Sequence, residues 1–519
     1  MQNTRILWAD DEIDLLKPHI VFLTNKGFIV DKVTSGIDAI ESCEKINYDL
    51  VFLDENMPGI SGLEALTKIK ALRPNVPVVM ITKSEEEHIM EDAIGSKIAD
   101  YLIKPVNSNQ ILMSIKKLLD NKRLVTEKTA QTYQQSFREI GMDLMDVKDF
   151  EGWLAVYRKL IYWELELSQT RDTGMDEILA MQKTEANRGW SKFIKNNYLS
   201  FLKKMDDNVP ALSHTVIKRK LAPLLESNES VFFLVLDNFR YDQWKIVEPI
   251  ISRYFKVISE DAYMSILPTT THYARNALFA GMMPSEIEKI FKDLWVNEQD
   301  EEGKNMHEED LLQRQLQRIG YKDKVSYTKI THLNAGKELI DKIPNLFNNR
   351  LNVIVYNFVD MLSHVRTEMN VMKELAEDEA AYRSITQSWF EHSPLFDALK
   401  RVAQKKVKLV ITTDHGSIRV NNPVKIIGDK ATSTNLRYKQ GKNLSYNESE
   451  LFTVKDPSEA YLPKLNMSSR FVFACENDFM AYPNNYNYHV NLYSNSFQHG
   501  GVSLEEMIVP YITLESRIG

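Results

Sequence analysis

Residues Asp49 to Gly59 read DLVFLDENMPG: four apolar residues, an acid, then a polar turn closed by proline and glycine. So short and continuous an apolar run suits a strand buried on both faces of a parallel sheet. Working outward, RILWAD (5–10), VVMIT (78–82) and YLIK (101–104) repeat the pattern, with helical patterns between them. Each run ends in a polar or charged residue, and open α/β sheets bind ligands at the carboxyl ends of their strands. Asp10, Asp54, Thr82 and Lys104 are therefore expected to converge. The pattern returns downstream in VFFLVLD (231–237), NVIVYNF (352–358) and KLVITT (408–413), which feed Asp237, Asp360 and Asp414.

Between these regions the character changes. Residues 121–205 read as helix throughout, and no proline occurs between Pro105 and Pro210. Trp153, Tyr157, Leu160 and Ile161 follow helical spacing, which predicts core packing, with a dimer or signalling face as the alternative. Ile178, Met181 and Trp190 extend the pattern after a break near Thr173-Gly174. Residues 429–450, rich in Asn, Ser, Lys and Tyr, read as an exposed insertion. The expected organisation is three domains: 1–120, 121–205 and 206–519.

Composition narrows the class. The 519 residues are 43% hydrophobic and 26% charged with net charge −8, which gives no global nucleic-acid footprint. Two cysteines, Cys43 and Cys475, make no disulfide framework and fit a reducing compartment. The apolar run Ile6-Leu7-Trp8 stops at Asp10, unlike a secretion leader. No apolar stretch approaches the roughly 20 residues of a membrane helix. A cytoplasmic location is expected.

The first acid cluster suits phosphoryl transfer to a carboxylate, which needs a nucleophilic Asp and a divalent cation. Asp10, Asp11 and Asp54 supply carboxylates for Mg2+ and one nucleophile. Thr82 and Lys104 can hold phosphoryl oxygens, and Pro105 suits a cis bond aiming the lysine inward. Asp10-Asp11, LDENMPG, Thr82, Tyr101 and Lys104-Pro105 together resemble a response-regulator receiver domain over about 120 residues. The resemblance implies a flavodoxin-like fold, Asp54 as phosphoacceptor, and Mg2+ on Asp10, Asp11, Asp54 and the Asn56 carbonyl. It also implies Thr82 and Tyr101 as switch pair, a sensor histidine kinase as partner, and phosphorylation-dependent dimerisation.

In the second set, Asp360 and His364 stand four apart, on one face of a helical turn. Asp414-His415 follows a strand, Asp237 ends another, and His499 precedes Gly500-Gly501. Six carboxylate and imidazole ligands suit two zinc ions with open positions, the mark of a catalytic site. A hydroxyl in LPTTTHY (267–273) would be the nucleophile, activated by metal and followed by a helical pattern. The order Asp237, hydroxyl, Asp360/His364, Asp414-His415, His499 is similar to the alkaline phosphatase superfamily. Residues 237–244 (DNFRYDQW) and Pro268 to Gly281 most resemble its PglZ-type domain. That likeness groups Asp360, His364 and His499 on one metal, and Asp237, Asp414, His415 and the nucleophile on the other. By likeness to related phosphodiesterases, Gly281 ten residues on implies Thr271 as the nucleophile, with Thr270 as the alternative. His272, His307, His332, His392 and His489 read as surface or packing groups, the first two worth watching for substrate contact. Arg240 and Arg275 fit a phosphate contact or a surface role equally.

A receiver, a helical-bundle linker and an alkaline-phosphatase-like α/β domain resemble the PorX-type response regulators of Bacteroidetes. The resemblance implies control of type IX protein secretion through a zinc phosphodiesterase, on oligonucleotide or cyclic nucleotide substrates. The alternative is a zinc-stabilised docking protein without physiological hydrolase activity, acting on a sigma factor or secretion component. Retention of Thr271 and of an open ligand set favours the enzyme.

Overall fold

The structure, a computed structural model, describes residues 4–83, 98–168, 173–204, 209–297, 303–357, 378–428 and 432–517. The chain forms two compact units, 1–134 and 135–519.

In the first unit a five-stranded sheet runs in the order β2-β1-β3-β4-β5. Its strands are β1 (Arg5–Ala9), β2 (Ile29–Val33), β3 (Leu50–Asp54), β4 (Val78–Thr82) and β5 (Asp100–Ile103). All neighbours are parallel. Alternation along β3 sends Val51 and Leu53 to one core and Leu50 and Phe52 to the other. Strands β1, β3 and β4 are buried on both faces as the sequence predicts, whereas β2 and β5 are edges and half-exposed. Helices α1 (Lys17–Asn25), α2 (Gly36–Lys45) and α3 (Gly62–Leu72) fall between the strands. Ser61 and Glu64 cap the start of α3 reciprocally. At Gly62 a Cβ would stand 2.2 Å from the Asp54 carbonyl oxygen, so only glycine lets α3 begin against the end of β3.

Helix α4 (Ser108–Asp146) continues without interruption through position 121. In the second unit, α5 (Phe150–Ser168) and α6 (Thr173–Lys203) pack through the aromatic stripe. Trp153 meets Trp190 edge-on at 5.7 Å, and Gly189 leaves room for the Trp153 ring. Trp153, Tyr157, Leu160 and Ile161 are all buried, so the stripe is core.

The main sheet of this unit joins β6 (Ser230–Leu236), β7 (Phe255–Met264), β8 (Val325–Ile330), β9 (Leu351–Tyr356), β10 (Val407–Thr412) and β11 (Ile508–Ser516). Their order is β7-β11-β10-β6-β9-β8. The three runs read from sequence are thus adjacent and parallel, as β10-β6-β9. Strand β11 is antiparallel to β10 and β7, and helix α7 (Tyr241–Ile251) follows β6. The reading of 429–450 as exposed fails for Tyr438–Gly441, a buried strand paired with Arg470–Phe473. Its polar side chains are satisfied inside: Arg437 pairs with Glu506 at 2.6 Å, and Lys439 Nζ donates to the Ser433 carbonyl at 2.9 Å. Polar composition signals exposure only where burial leaves groups unpaired.

Candidate functional site

At the carboxyl ends of β1 and β3, Asp10 and Asp54 are buried while Asp11 is exposed. One carboxylate oxygen from each lies within 4.8 Å of the others. Lys104, just past β5, bridges Asp10 at 3.0 Å and Asp54 at 3.1 Å, and its bond to Pro105 is cis as expected. Burial raises the Asp54 pKa, and the neighbouring Asp10 and Asp11 add to the rise against the pull of Lys104. Burial disfavours the Lys104 charge, but hydrogen bonds to Asp10 and Asp54 outweigh it and its pKa is raised. The Thr82 hydroxyl donates to Glu55, Tyr101 is 45% exposed, and Asn56 is exposed in the turn after Asp54. Three carboxylates against one lysine leave a negative pocket suited to Mg2+.

The second cluster forms where β6 and β10 end side by side. Asp237 follows β6, Asp414-His415 follows β10, and one ligand atom from each lies within 4.8 Å of the others. Asp414 Oδ1 accepts from the backbone amides of Asn238 (3.3 Å) and His415 (3.1 Å) and from the Thr413 hydroxyl (3.2 Å). Its Oδ2 is buried with no hydrogen-bond partner. The Arg275 guanidinium, 3.8 Å away, is too far to hydrogen-bond it, so this buried oxygen with its carboxylate and imidazole neighbours fits a metal. Burial is also the largest influence on Asp414 and raises its pKa.

Histidine orientation agrees. His415 Nδ1 lies 3.0 Å from the Gly416 carbonyl and His499 Nδ1 lies 3.2 Å from that of Thr269. Such backbone bonds place the proton on Nδ1 and give Nε2 to a ligand role. The two rings stack at 4.4 Å. Gly500 (φ +123°) makes the turn beyond His499, where a Cβ would press on Tyr438 at 2.8 Å.

Thr271 opens the helical turn that leads into α8 (Asn276–Ala280). Its Oγ1 sits 3.2 Å from Asp237 Oδ1 and 3.1 Å from His415 Nε2. Thr270 is the N-cap of this turn, and its buried hydroxyl makes no hydrogen bond. Gly281 closes α8 in the left-handed region, against Gln315. The structure therefore brings together Asp237, Thr271, Asp414, His415 and His499; Asp360 and His364 lie outside the described residues.

Of the watched histidines, His272 is packing: it stacks on Trp295 at 4.8 Å and bonds the Val296 carbonyl at 2.8 Å. His307 stands 3.7 Å from Asp310. Neither arginine is on the surface. Arg240 is buried between Asp242 and Glu379, at 2.6 and 2.5 Å. Arg275 enters the site, 3.0 Å from Asp237, and is held by Glu308 on α9 (Glu308–Arg318) at 2.7 Å. Sequence reasoning missed Glu308, Lys329 and Asn305, whose side-chain amide donates to the Thr271 carbonyl at 3.0 Å.

Comparison with known proteins gives three matched segments. Residues 6–116 match the response regulator receiver domain, and 123–202 match the PorX response regulator linker domain. Residues 216–514 match the BREX system PglZ alkaline phosphatase-like domain. Among curated relatives, the transcriptional regulatory protein ResD of Bacillus subtilis (strain 168) is 30% identical over 117 residues, 22% of this chain and 48% of its own. ZraR of Klebsiella oxytoca is 29% identical over 140 residues, 27% of this chain and 32% of its own. The chain thus spans about half or less of the length of these relatives. A CheY-like receiver domain from Methanospirillum hungatei JF-1 aligns with 23% of this chain and 96% of its own, at 27% identity and TM-score 0.23. No helix among the described residues is long and apolar enough to cross a membrane. With more than half of its length matched to the PglZ domain, behind a receiver and a PorX-type linker, the chain belongs to the PglZ family and is a response regulator of the PorX type.

Proposed function

We propose that this response regulator accepts phosphate on Asp54 and thereby controls a zinc-dependent phosphodiesterase whose nucleophile is Thr271. The observation that carries the reading is the Thr271 hydroxyl, 3.2 Å from Asp237 Oδ1 and 3.1 Å from His415 Nε2, beside a buried Asp414 Oδ2 that accepts no hydrogen bond. Asp237, Asp414, His415 and Thr271 would hold one zinc ion, and His499 with Asp360 and His364 the second. Bound zinc supplies Lewis acidity that activates a hydroxyl and neutralises phosphoryl charge. Asp237 Oδ1 orients the Thr271 hydroxyl toward an incoming phosphorus and is placed to take its proton, while the one lone pair of His415 Nε2 is left for the zinc. The threonine oxygen bonds phosphorus, the bond to the alcohol breaks, and water later releases the phosphoryl group.

In the receiver, Asp10, Asp11, Asp54 and the Asn56 carbonyl would hold Mg2+, with Thr82 and Lys104 on the phosphoryl oxygens. Domain limits of 1–120, 121–205 and 206–519 accompany this reading. A sensor histidine kinase is the donor, and Thr82 and Tyr101 carry the change to a dimerising face. Oligonucleotides or cyclic nucleotides are the substrates, and type IX secretion the regulated process, with a sigma factor or secretion component as the further partner.

The test is an acid quench of zinc-loaded protein turning over bis(p-nitrophenyl) phosphate, followed by peptide mass spectrometry. The expected adduct is p-nitrophenyl phosphate esterified to Thr271. Turnover with the adduct on another residue would reject Thr271.

A further inference from the structure

Around Asp237 the protein buries an unusual density of charge. Asp237, Asp414, Glu308 and Arg275 are each at most 1% exposed, and Lys329 stands at their margin. Arg275 joins them. Its Nε donates to Glu308 Oε1 at 2.7 Å, and its Nη1 lies 3.0 Å from Asp237 Oδ2, 3.8 Å from Asp414 Oδ2 and 3.3 Å from Asn357 Oδ1. Glu308 is held in turn by the Tyr327 hydroxyl and by Lys329 at 3.0 Å.

The two oxygens of Asp237 are thereby divided. Oδ2 faces the guanidinium and Oδ1 faces the Thr271 hydroxyl. A carboxylate without the first contact could rotate and offer either oxygen. A planar guanidinium grips two carboxylates in one fixed relative orientation, which a freely rotating ammonium does not impose. An arginine so enclosed, with protein carboxylates on its nitrogens, is also poorly placed to receive a substrate phosphate.

We infer that Arg275, anchored by Glu308, is a positioning residue that fixes which Asp237 oxygen meets Thr271 and sets the charge of the metal-binding pocket. This rests on the reading of Thr271 as nucleophile and adds the group that orients it. Its charge acts on a bound cation with a definite sign. Removing Arg275 exposes Asp237 and Asp414 fully to the cation, whereas neutralising Glu308 leaves the guanidinium charge less balanced.

The experiment uses the full chain and zinc alone, titrated against a chromophoric chelator, beside steady-state hydrolysis of bis(p-nitrophenyl) phosphate. Arg275→Met is expected to tighten zinc binding about tenfold and Glu308→Gln to weaken it about tenfold. In both, kcat falls at least about tenfold while KM stays within about threefold. Arg275→Lys keeps the charge without the bridge, so zinc affinity stays near wild type while kcat falls. A purely structural role would weaken zinc in Arg275→Met and Glu308→Gln alike, and that result overturns the inference. So does a large rise in KM in Arg275→Met with zinc affinity unmoved, which would make Arg275 a substrate ligand. If Arg275→Met does not fold, Arg275→Lys and Glu308→Gln decide: a zinc shift in the lysine variant as large as in the glutamine variant contradicts it. If the wild type turns nothing over, the phosphodiesterase reading fails, while the opposed zinc shifts still decide the role of Arg275.

Discussion

The two acidic sites solve one problem in different ways. Each gathers carboxylates at the ends of parallel strands and sets a cation among them, Lys104 in the receiver and Arg275 in the PglZ domain. Lys104 is 15% exposed and bridges Asp10 and Asp54, beside an exposed Asp11. Arg275 is 1% exposed and is itself held by Glu308, which Lys329 and Tyr327 hold in turn. A flexible ammonium suits a site whose charge changes with each phosphorylation. A braced guanidinium suits a site that must present one fixed geometry to every substrate.

The comparison breaks most readily at Asp414. Asp414→Asn is expected to lower turnover at least about 1,000-fold and to cost zinc, measured by metal content and initial rate. Labelling of Asp54 by acetyl phosphate should be unchanged, since that site has its own carboxylates. Next is the support behind the PglZ motif. Glu164 on α5 pairs with Lys183 at 2.8 Å and Arg383 at 2.8 Å, and Arg383 also meets Asp242 at 3.4 Å. Glu164→Gln leaves two cations short of a partner and should cost about 3 kcal/mol in denaturant unfolding. In the receiver, Lys104→Met should slow phosphorylation by about 100-fold, read by phosphoprotein gels, with turnover of the unphosphorylated enzyme unaltered.

Acid should separate the two regions more gently. Burial raises the Asp54 pKa, so its stability penalty is present at neutral pH and relieved as pH falls. Glu164 and Asp242 are shifted the other way. Burial opposes their charge, but Lys183 and Arg383 for Glu164, and Arg240 and Arg383 for Asp242, outweigh it and lower both values. Their contribution is present above the ordinary carboxylate range and is lost as pH falls through it. Calorimetric scans of metal-free protein from pH 7 toward 4 should show the stability gap between wild type and Glu164→Gln narrowing by about 1 kcal/mol. A gap that stays constant would contradict this.

Much of this was legible in the sequence because the informative residues end apolar runs. DLVFLD, VFFLVLD and KLVITT become β3, β6 and β10, and their terminal acids arrive where the pattern placed them. The turn after LPTTTHY was readable as a helix start, and Gly281 proves to be the left-handed cap of α8. The buried ion pairs were not legible. Arg240 meets Glu379 across 139 positions and Arg383 meets Glu164 across 219, and no local period links such partners. Tyr438–Gly441 misled for a related reason, since its polar neighbours are paid in hydrogen bonds that only the folded chain reveals.

The central claim is that Thr271 performs metal-assisted phosphodiester cleavage under receiver control. Its most direct test is hydrolysis of bis(p-nitrophenyl) phosphate by zinc-loaded wild type and Thr271→Ala, with and without beryllofluoride. The account predicts turnover in the wild type, a loss of at least about 1,000-fold in the variant, and a rate that changes when beryllofluoride occupies the receiver. Full activity in Thr271→Ala, or no turnover by wild type with both metals bound, would contradict it.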